Sequence, residues 1–517
     1  MTGAELIRRG ARHFADRTAV VFGDQRLTYA EVDWSANRLA HVFQDLGLKK
    51  GDRVAFLLAN SVHSIQIDFA VLKAGLVRVP LNTRLALAEH RHMVQETGAR
   101  LLIFSPEFQA RAVELREGTA SLIHLAQVGG GPVPEWALDL DRLALSADAD
   151  EPEVVVREDD LATLQYTSGT TGVLKAAMHT QGTWAAIALN ILTNLRIERD
   201  DVMLHAAPLT HAAGTLVLPH WVRGAVNAVL PGFRPREYLE AVDRLRPTTL
   251  NLVPTMIVML LAEPEVERYS FASVRQIIYG ASPMPTEALR RGIALWGKKF
   301  VQYYGQTESP LILTLLEAED HDPDTPDGMR RLGSCGRVVP TAELRIVDED
   351  GRDVPPGETG EIAVRSSQNM IGYWQAPELT AQTIVDGWIR TRDMGYQDAD
   401  GFVHLVDRKS DMIITGGFNV YPREVEDVLY RHPAVLEAAV IGVPDPQWGE
   451  AIKAFVVLRP GQHATEAELI AFCREHLASY KKPKSIEFVP SLPKSPVDKV
   501  LRRVLREPYW QGRERRI

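Results

Sequence analysis

The pattern that most constrains this chain is an alternation that runs through roughly its first four-fifths and then stops. Strand-like runs ("RVAFLLAN", "TTLNLVP", "VRQIIYGAS") alternate with helical ones ("SIQIDFAVLKAG", "PREYLEAVDRLR"). Such alternation points to an α/β architecture with buried sheets. Near residues 330–405 the texture becomes "AELRIVDEDGRDVPPGETGEIAVR", short strands joined by Gly/Pro turns, which predicts a small β subdomain. Beyond "HLVDRKSD" it changes again. "PREVEDVLYRHP" is a short amphipathic helix with Pro422 near its start, and two strands follow, "LEAAVIGVP" and "AIKAFVVL". Thr465 and Glu468 then form a capping-box pattern at the head of "EAELIAFCREHLA". The reading is a domain of residues 1–407 and a compact α+β domain of residues 408–517. With 517 residues, the chain is too long for one ordinary core.

Composition removes several function classes. The net charge of −9, with no Lys/Arg-rich block, argues against nucleic acid as a partner. The two cysteines, Cys335 and Cys473, lie far apart without metal-like spacing, which fits a reducing compartment and no disulfide scaffold. The start "MTGAELIRRGARHFADRTAV" has no continuous apolar segment of signal-peptide type, and no apolar run reaches membrane-spanning length. The expectation is a soluble cytoplasmic protein.

One stretch cannot serve a core. "YTSGTTGVLKAAMHT", Tyr166–Thr180, gathers three Thr, one Ser and two Gly within six residues and places Lys175 three residues on. It is not a Walker A loop, because Gly169 and Gly172 are followed by Val173 and Leu174 before the lysine. The flanks "LATLQY" and "LKAAMH" both read as strands, so the loop is expected to join a hairpin. Its chemistry is still that of an anion site. Glycines let backbone N–H groups converge, hydroxyls add donors and a lysine adds charge.

The string resembles the phosphate loop of the adenylate-forming superfamily, which includes acyl-CoA synthetases, luciferase and nonribosomal adenylation domains. Further motifs follow in the family's order: "YYGQTES", "TRDMGYQDADGFVHLVDRKSDMI", "TGGFNVYPREVE" and "LPKSPVDKVLRR". Together they span almost the whole chain. The resemblance implies a large N-terminal domain of two α/β subdomains plus a small β subdomain, and a small mobile C-terminal domain. It implies an AMP-forming acid–thiol ligase that uses ATP, Mg2+ and coenzyme A. A carboxylate attacks the α-phosphorus, pyrophosphate leaves, and the acyl-adenylate is then taken by a thiol.

Residue roles carry over onto matching positions. Thr167, Ser168, Gly169, Thr170, Thr171, Gly172 and Lys175 would hold the β- and γ-phosphates. Gly280, Ala281 and Ser282 would line the adenine pocket, with Tyr304 stacked on the base and Gly305 beside it. Glu308 would hold Mg2+, and Thr307 would contact phosphate or carboxylate oxygens. Asp393 would accept from the ribose hydroxyls, as carboxylates do in dinucleotide-binding folds, and Arg408 would touch ribose or phosphate. Lys499 is the expected adenylation lysine, Ser410 the hinge, and Gly416 and Gly417 would leave room for the pantetheine arm. His211, in "PLTHAAG", would stand where acyl pocket and thiol tunnel meet.

The acyl wall is expected from "TLVLPHWVRGAVNAVLPG" and "NLVPTMIVMLL". The second offers no charged residue, which disfavours dicarboxylates and amino acids and favours an apolar fatty, alicyclic or aromatic monocarboxylate. Several positions depart from the family pattern: Leu174 and Ala176 flank the loop lysine, Arg392 replaces a common Gly, and Asp498 precedes Lys499. Asp498 raises the alternative of an enzyme specialised for one half-reaction, either thioesterification of a supplied adenylate or adenylation for a carrier protein. A degenerate adenylate-binding protein is the reading outside enzymes, and intact Lys175, Glu308, Asp393, Arg408 and Lys499 argue against it. The implied partners are the acid, ATP and CoA, with a homodimer allowed.

Overall fold

The computed structural model describes residues 1–168, 174–282, 284–408, 411–416, 418–495 and 500–511, with the side chains of Ser168 and Arg408 left aside. Its alternating part builds two large sheets. The nine-stranded sheet runs, in spatial order, Arg337–Val338, Ser309–Leu316, Phe300–Gln306, Gln276–Gly280, Thr249–Leu252, Val202–His205, Val226–Val229, Thr18–Phe22 and Gln25–Thr28. From Phe300–Gln306 through Thr18–Phe22 all neighbours are parallel. Their C-terminal ends therefore open on one edge, where open α/β sheets bind ligands.

The eight-stranded sheet begins with Gly372–Tyr373, Leu174–Thr180 and Leu161–Ser168 and ends with Leu138–Asp139. Its central strand Arg53–Leu57 is fully apolar inside, and parallel strands flank it on both sides. The helix Val62–Lys73 covers this sheet and meets the core around Trp221. That indole packs 4.2 Å from the Tyr29 ring and 4.8 Å from Phe69, and its Nε1–H donates to the Ile7 carbonyl. The nitrogen is thereby satisfied inside a dry core.

The Gly/Pro-rich region is the expected antiparallel sheet, Ala342–Val347, Gly360–Ser366 and Trp388–Gln397, with Ile384–Val385 and Val403–Arg408 at its edge. One apolar cluster joins the three sheets: Ala177, Tyr304, Leu313, Ile362 and Val364 pack together.

The C-terminal region has its own sheet and its own core. Val435–Asp445 and Gly449–Leu458 form the central hairpin, Ile413–Thr415, Phe418–Val420 and Ser485–Phe488 complete the sheet, and helices Pro422–Leu429 and Glu466–His476 cover one face. Thr465 and Glu468 make the reciprocal capping bonds expected from their spacing. The molecule is thus α/β, with a large N-terminal domain and a smaller C-terminal one. Among the described residues no helix is long and apolar enough to cross a membrane. Cys335 and Cys473 are both buried and free.

Candidate active site

Four chain segments leave the carboxyl edge of the nine-stranded sheet side by side. They are Ala206–Gly214 after the strand ending at His205, Val253 onward after Leu252, Ala281–Ser282 after Gly280, and Thr307–Glu308 after Gln306. Three of them carry the expected site residues His211, Ala281 with Ser282, and Thr307 with Glu308, and Val253 onward belongs to the expected acyl wall. The hairpin Leu161–Ser168/Leu174–Thr180 approaches the same edge with Thr167 opposite Lys175 and Ser168 opposite Leu174, as the flanking strands predicted. Gly169, Thr170, Thr171 and Gly172, at its tip, lie outside the described residues, as do Ser410, Gly417, Asp498 and Lys499.

Thr307 and Glu308 are the two residues of the hairpin turn between Phe300–Gln306 and Ser309–Leu316. The turn demands glycine just before it, because a Cβ on Gly305 would stand 1.9 Å from the Leu311 carbonyl oxygen. Leu311 itself has φ +60°, inside the bulge where the pairing shifts between Tyr304 and Gln306, a conformational cost for a branched residue. Two outside contacts fix the turn. His179 Nε2 meets the Thr307 carbonyl at 2.9 Å, and the Met370 N–H donates to the Glu308 carbonyl at 2.8 Å. Complete burial pushes the His179 imidazole down to about 4, against the raising effect of that bond, so the ring is neutral and Nε2 is the donor.

The Glu308 carboxylate is buried, and the Tyr373 hydroxyl donates to its Oε1 at 2.6 Å. Lys175 sets its ammonium 4.8 Å from the centre of the same Tyr373 ring. A second phenol–carboxylate pair involves the strand that leads into this turn: the Tyr304 hydroxyl donates to Asp393 Oδ2 at 2.7 Å. Burial first, and then the adjoining carboxylate, pushes both phenols well above the ordinary tyrosine range. Each stays protonated and remains a donor.

Asp393 is presented by strand Trp388–Gln397, and the residue before it is strained. Arg392 has φ +62°, the left-handed region where the family commonly has Gly, and its N–H is held by Glu361 Oε1 at 3.0 Å. In the nine-stranded sheet, a Cβ on Gly280 would fall 2.5 Å from the Tyr303 carbonyl oxygen, and Ala281 turns at φ +69°. The paired strands Gln276–Gly280 and Phe300–Gln306 thus each carry, at or next to their ends, a glycine required by close backbone approach.

His211 stands on the segment that follows the strand ending at His205. Its Nε2 is 3.3 Å from Asn82 Nδ2 and its Nδ1 3.2 Å from Thr210 Oγ1. Because Asn82 Oδ1 accepts from the Arg84 N–H, the amide nitrogen must face the histidine. The helix Pro254–Ala262 buries Met256, Ile257, Leu260 and Leu261 in the core, so its N-terminal end with Val253–Thr255 is what faces the edge. "TLVLPHWVRGAVNAVLPG" divides into a helix, Val217–Arg223, and a strand, Val226–Val229, both chiefly core. Gly416 has φ +58° under the Trp448 ring, 2.7 Å from where its Cβ would be.

Three residues that sequence reasoning passed over now stand in the site: Tyr373, His179 and Asn82. The signal for Tyr373 is "NMIGYWQAP": Gly372 adopts φ +148° and starts a two-residue strand on the lysine-bearing hairpin. No group of three potential metal ligands occurs among the described residues. A single buried carboxylate suits Mg2+, which takes one or two protein carboxylates and completes its shell with phosphate and water.

The model of AMP-binding enzymes matches residues 7–374, and that of the AMP-binding enzyme C-terminal domain matches residues 424–499. A feruloyl-CoA synthase from Amycolatopsis sp is 39% identical over 510 residues, covering 98% of this chain and 99% of its own. The medium/long-chain-fatty-acid–CoA ligase FadD8 of Mycobacterium tuberculosis is 35% identical over 530 residues, covering 100% of this chain and 91% of its own. Among solved structures, the anthranilate CoA ligase AuaEII in complex with anthranoyl-AMP superposes with a TM-score of 0.90 at 29% identity, covering 98% of this chain and 97% of that one.

Proposed function

This chain belongs to the family of AMP-binding enzymes and is an ATP-dependent acyl-CoA ligase, and we propose that its acid is an apolar fatty, alicyclic or aromatic monocarboxylate. The observation that carries this reading is the chemistry of the sheet edge beyond the phosphate-side residues. Residues 206–214 and 253–262 contain no Lys, Arg, Asp or Glu, so a second charge on the acid would enter without a partner. The relatives named for feruloyl-CoA and for medium and long fatty acids support an acid of this kind.

In the mechanism we propose, the acid carboxylate attacks the α-phosphorus of ATP and the bond to the β-phosphate oxygen breaks. Pyrophosphate departs with that electron pair. Two anions must meet, and the chain supplies the compensating groups. Lys175 and the hydroxyls and N–H groups of residues 167–172 take the β- and γ-phosphates. Glu308 would hold Mg2+, which supplies further charge neutralisation to the triphosphate. Asp393 accepts from the ribose hydroxyls, and the Tyr304 hydroxyl at 2.7 Å orients that carboxylate. Arg408 adds donors to ribose or phosphate. Lys499 bridges carboxylate and α-phosphate oxygens. A unit charge about 4 Å away contributes about 4 kcal/mol at an effective dielectric near 20, roughly a thousandfold in rate when expressed in the transition state alone.

We place the domain division at 407/408, with Ser410 as hinge. The separate core of the C-terminal region supports its turning as a unit between half-reactions. That turn withdraws Lys499 and brings Gly416 and Gly417 to the site, where the CoA sulfur attacks the acyl carbonyl and AMP leaves. The free buried thiols support a reducing compartment, the cytoplasm.

The test is pyrophosphate release and CoA-thioester formation against a panel of fatty, aryl and alicyclic acids, malonate and phenylalanine. The expected result is both products with apolar monocarboxylates. Malonate or phenylalanine outperforming all of them would overturn the reading.

A further inference from the structure

We propose that Tyr373 is a positioning residue of the nucleotide site, holding Lys175 and Glu308 in register with each other through opposite parts of one phenol. The inference rests on the reading of Lys175 and Glu308 as triphosphate-side groups. A phenol has a negative ring face and a positive hydroxyl edge, and this one uses both. The Lys175 ammonium stands 4.8 Å from the ring centre, and the hydroxyl reaches Glu308 Oε1 at 2.6 Å. One side chain thus touches a cation and an anion that come from different sheets.

The backbone of Tyr373 is held firmly enough to serve as a reference. Gly372 and Tyr373 pair with Met178 and Ala177 of the lysine-bearing strand. On either side of them, the Ile371 N–H donates to the Met178 carbonyl at 3.0 Å and the Trp374 N–H to the Ala176 carbonyl at 2.9 Å. The Tyr373 N–H is taken by Thr380 Oγ1 at 2.9 Å. Met370, just upstream, donates to the carbonyl of Glu308 itself. Gly372 cannot be replaced cheaply, since its φ is +148° and a Cβ would lie 2.8 Å from Thr380 Cγ2. The side chain is 3% exposed, so the phenol has little freedom to leave either partner.

This arrangement makes a division that can be measured. The hydroxyl acts on Glu308 and therefore on the divalent cation. The ring acts on Lys175 and therefore on the phosphates. Tyr373→Phe removes the first contact and keeps the second, whereas Tyr373→Leu removes both.

Equilibrium ATP binding by calorimetry, without acid or CoA, tests this across a Mg2+ series in wild type, Tyr373→Phe, Tyr373→Leu, Lys175→Ala and Glu308→Gln. Omitting the acid makes the outcome independent of which carboxylate the enzyme takes. Loss of a charge-assisted hydrogen bond predicts that Tyr373→Phe raises the Mg2+ concentration for half-maximal binding about tenfold, with ATP Kd at saturating Mg2+ within about threefold of wild type. Loss of the ring face predicts a further rise of about fivefold in that saturated Kd for Tyr373→Leu. Thermal unfolding of Tyr373→Phe should stay close to wild type. If Lys175→Ala and Glu308→Gln bind ATP as wild type does, the reading of the site fails and the proposal with it. If those two weaken binding while both Tyr373 variants match wild type, the proposal alone is overturned. Equal effects of Phe and Leu on both parameters, or a loss that merely follows a fallen melting temperature, also overturn it.

Discussion

Lowering the pH from 7 to 5 should destabilise this protein far more than its surface charges would. Four histidines, His179, His205, His220 and His321, are buried and depressed from 6.5 to about 4, each chiefly by desolvation of the cation. Their surroundings explain why. His179 Nδ1, His205 Nδ1 and His220 Nε2 have no hydrogen-bond partner among the described residues, so a second ring proton would find no acceptor. The sign follows from linkage. The unfolded chain takes up these protons near pH 6.5 while the folded chain resists until about 4, so stability falls as pH drops through that window. For one such histidine the loss between pH 7 and pH 5 is about 2 kcal/mol, and the four together lose several kcal/mol, a large share of the stability of an ordinary domain. Guanidinium denaturation followed by tryptophan fluorescence at the two pH values measures it. His179→Gln, which keeps a donor for the Thr307 carbonyl, should reduce the pH-dependent loss by roughly 2 kcal/mol whatever it costs at pH 7. A wild-type stability flat to within about 1 kcal/mol across this range, or a variant with the same pH dependence as wild type, would refute the argument.

Further expectations concern single side chains. Tyr304→Phe deletes the donor to Asp393 while keeping the buried ring, and should raise the KM for ATP about tenfold with kcat little changed, read by steady-state kinetics at saturating acid and CoA. Arg502→Ala strips a half-ring of carboxylates, Asp407, Asp411 and Glu426, of their common cation, and should destabilise the C-terminal domain by about 3–5 kcal/mol, seen as faster hydrogen exchange in Val435–Asp445 and Gly449–Leu458. Gly417→Leu should spare pyrophosphate exchange and abolish thioester formation; equal losses in both would assign the glycine to folding instead.

Local patterns carried much of this fold in plain view. The Thr465/Glu468 box, Pro422 at a helix start and the strands flanking the Ser/Thr/Gly loop depend on neighbours in sequence, and all are where their spacing puts them. What stayed hidden is long-range register. Tyr373 meets Lys175 only because a two-residue strand pairs with Leu174–Thr180 across about half the sequence of the N-terminal domain, and no local periodicity encodes that pairing. Likewise the hairpin of Thr18–Phe22 and Gln25–Thr28 joins the sheet of Val226–Val229 rather than that of the next strand in sequence, Arg53–Leu57. Arg392 lies between these cases. Its departure from a common Gly was legible, and its φ of +62° shows the physical reason for noticing it. The long "TLVLPHWVRGAVNAVLPG" shows the opposite limit, since apolar character alone does not distinguish a pocket wall from the core that Trp221 fills.

The central claim is that this ligase accepts one carboxylate and an apolar body, and matched pairs of acids test it most directly. Hexanoate against adipate, decanoate against sebacate, and cinnamate against 4-carboxycinnamate differ chiefly by a charge at the far end. With no Lys or Arg in residues 206–214 and 253–262 to meet that charge, kcat/KM for thioester formation should favour the monocarboxylate in each pair by on the order of a thousandfold. Among the monocarboxylates that fit, each added CH2 should contribute roughly 0.8 kcal/mol until the pocket is full. A dicarboxylate that matches or exceeds its partner in kcat/KM would contradict the account.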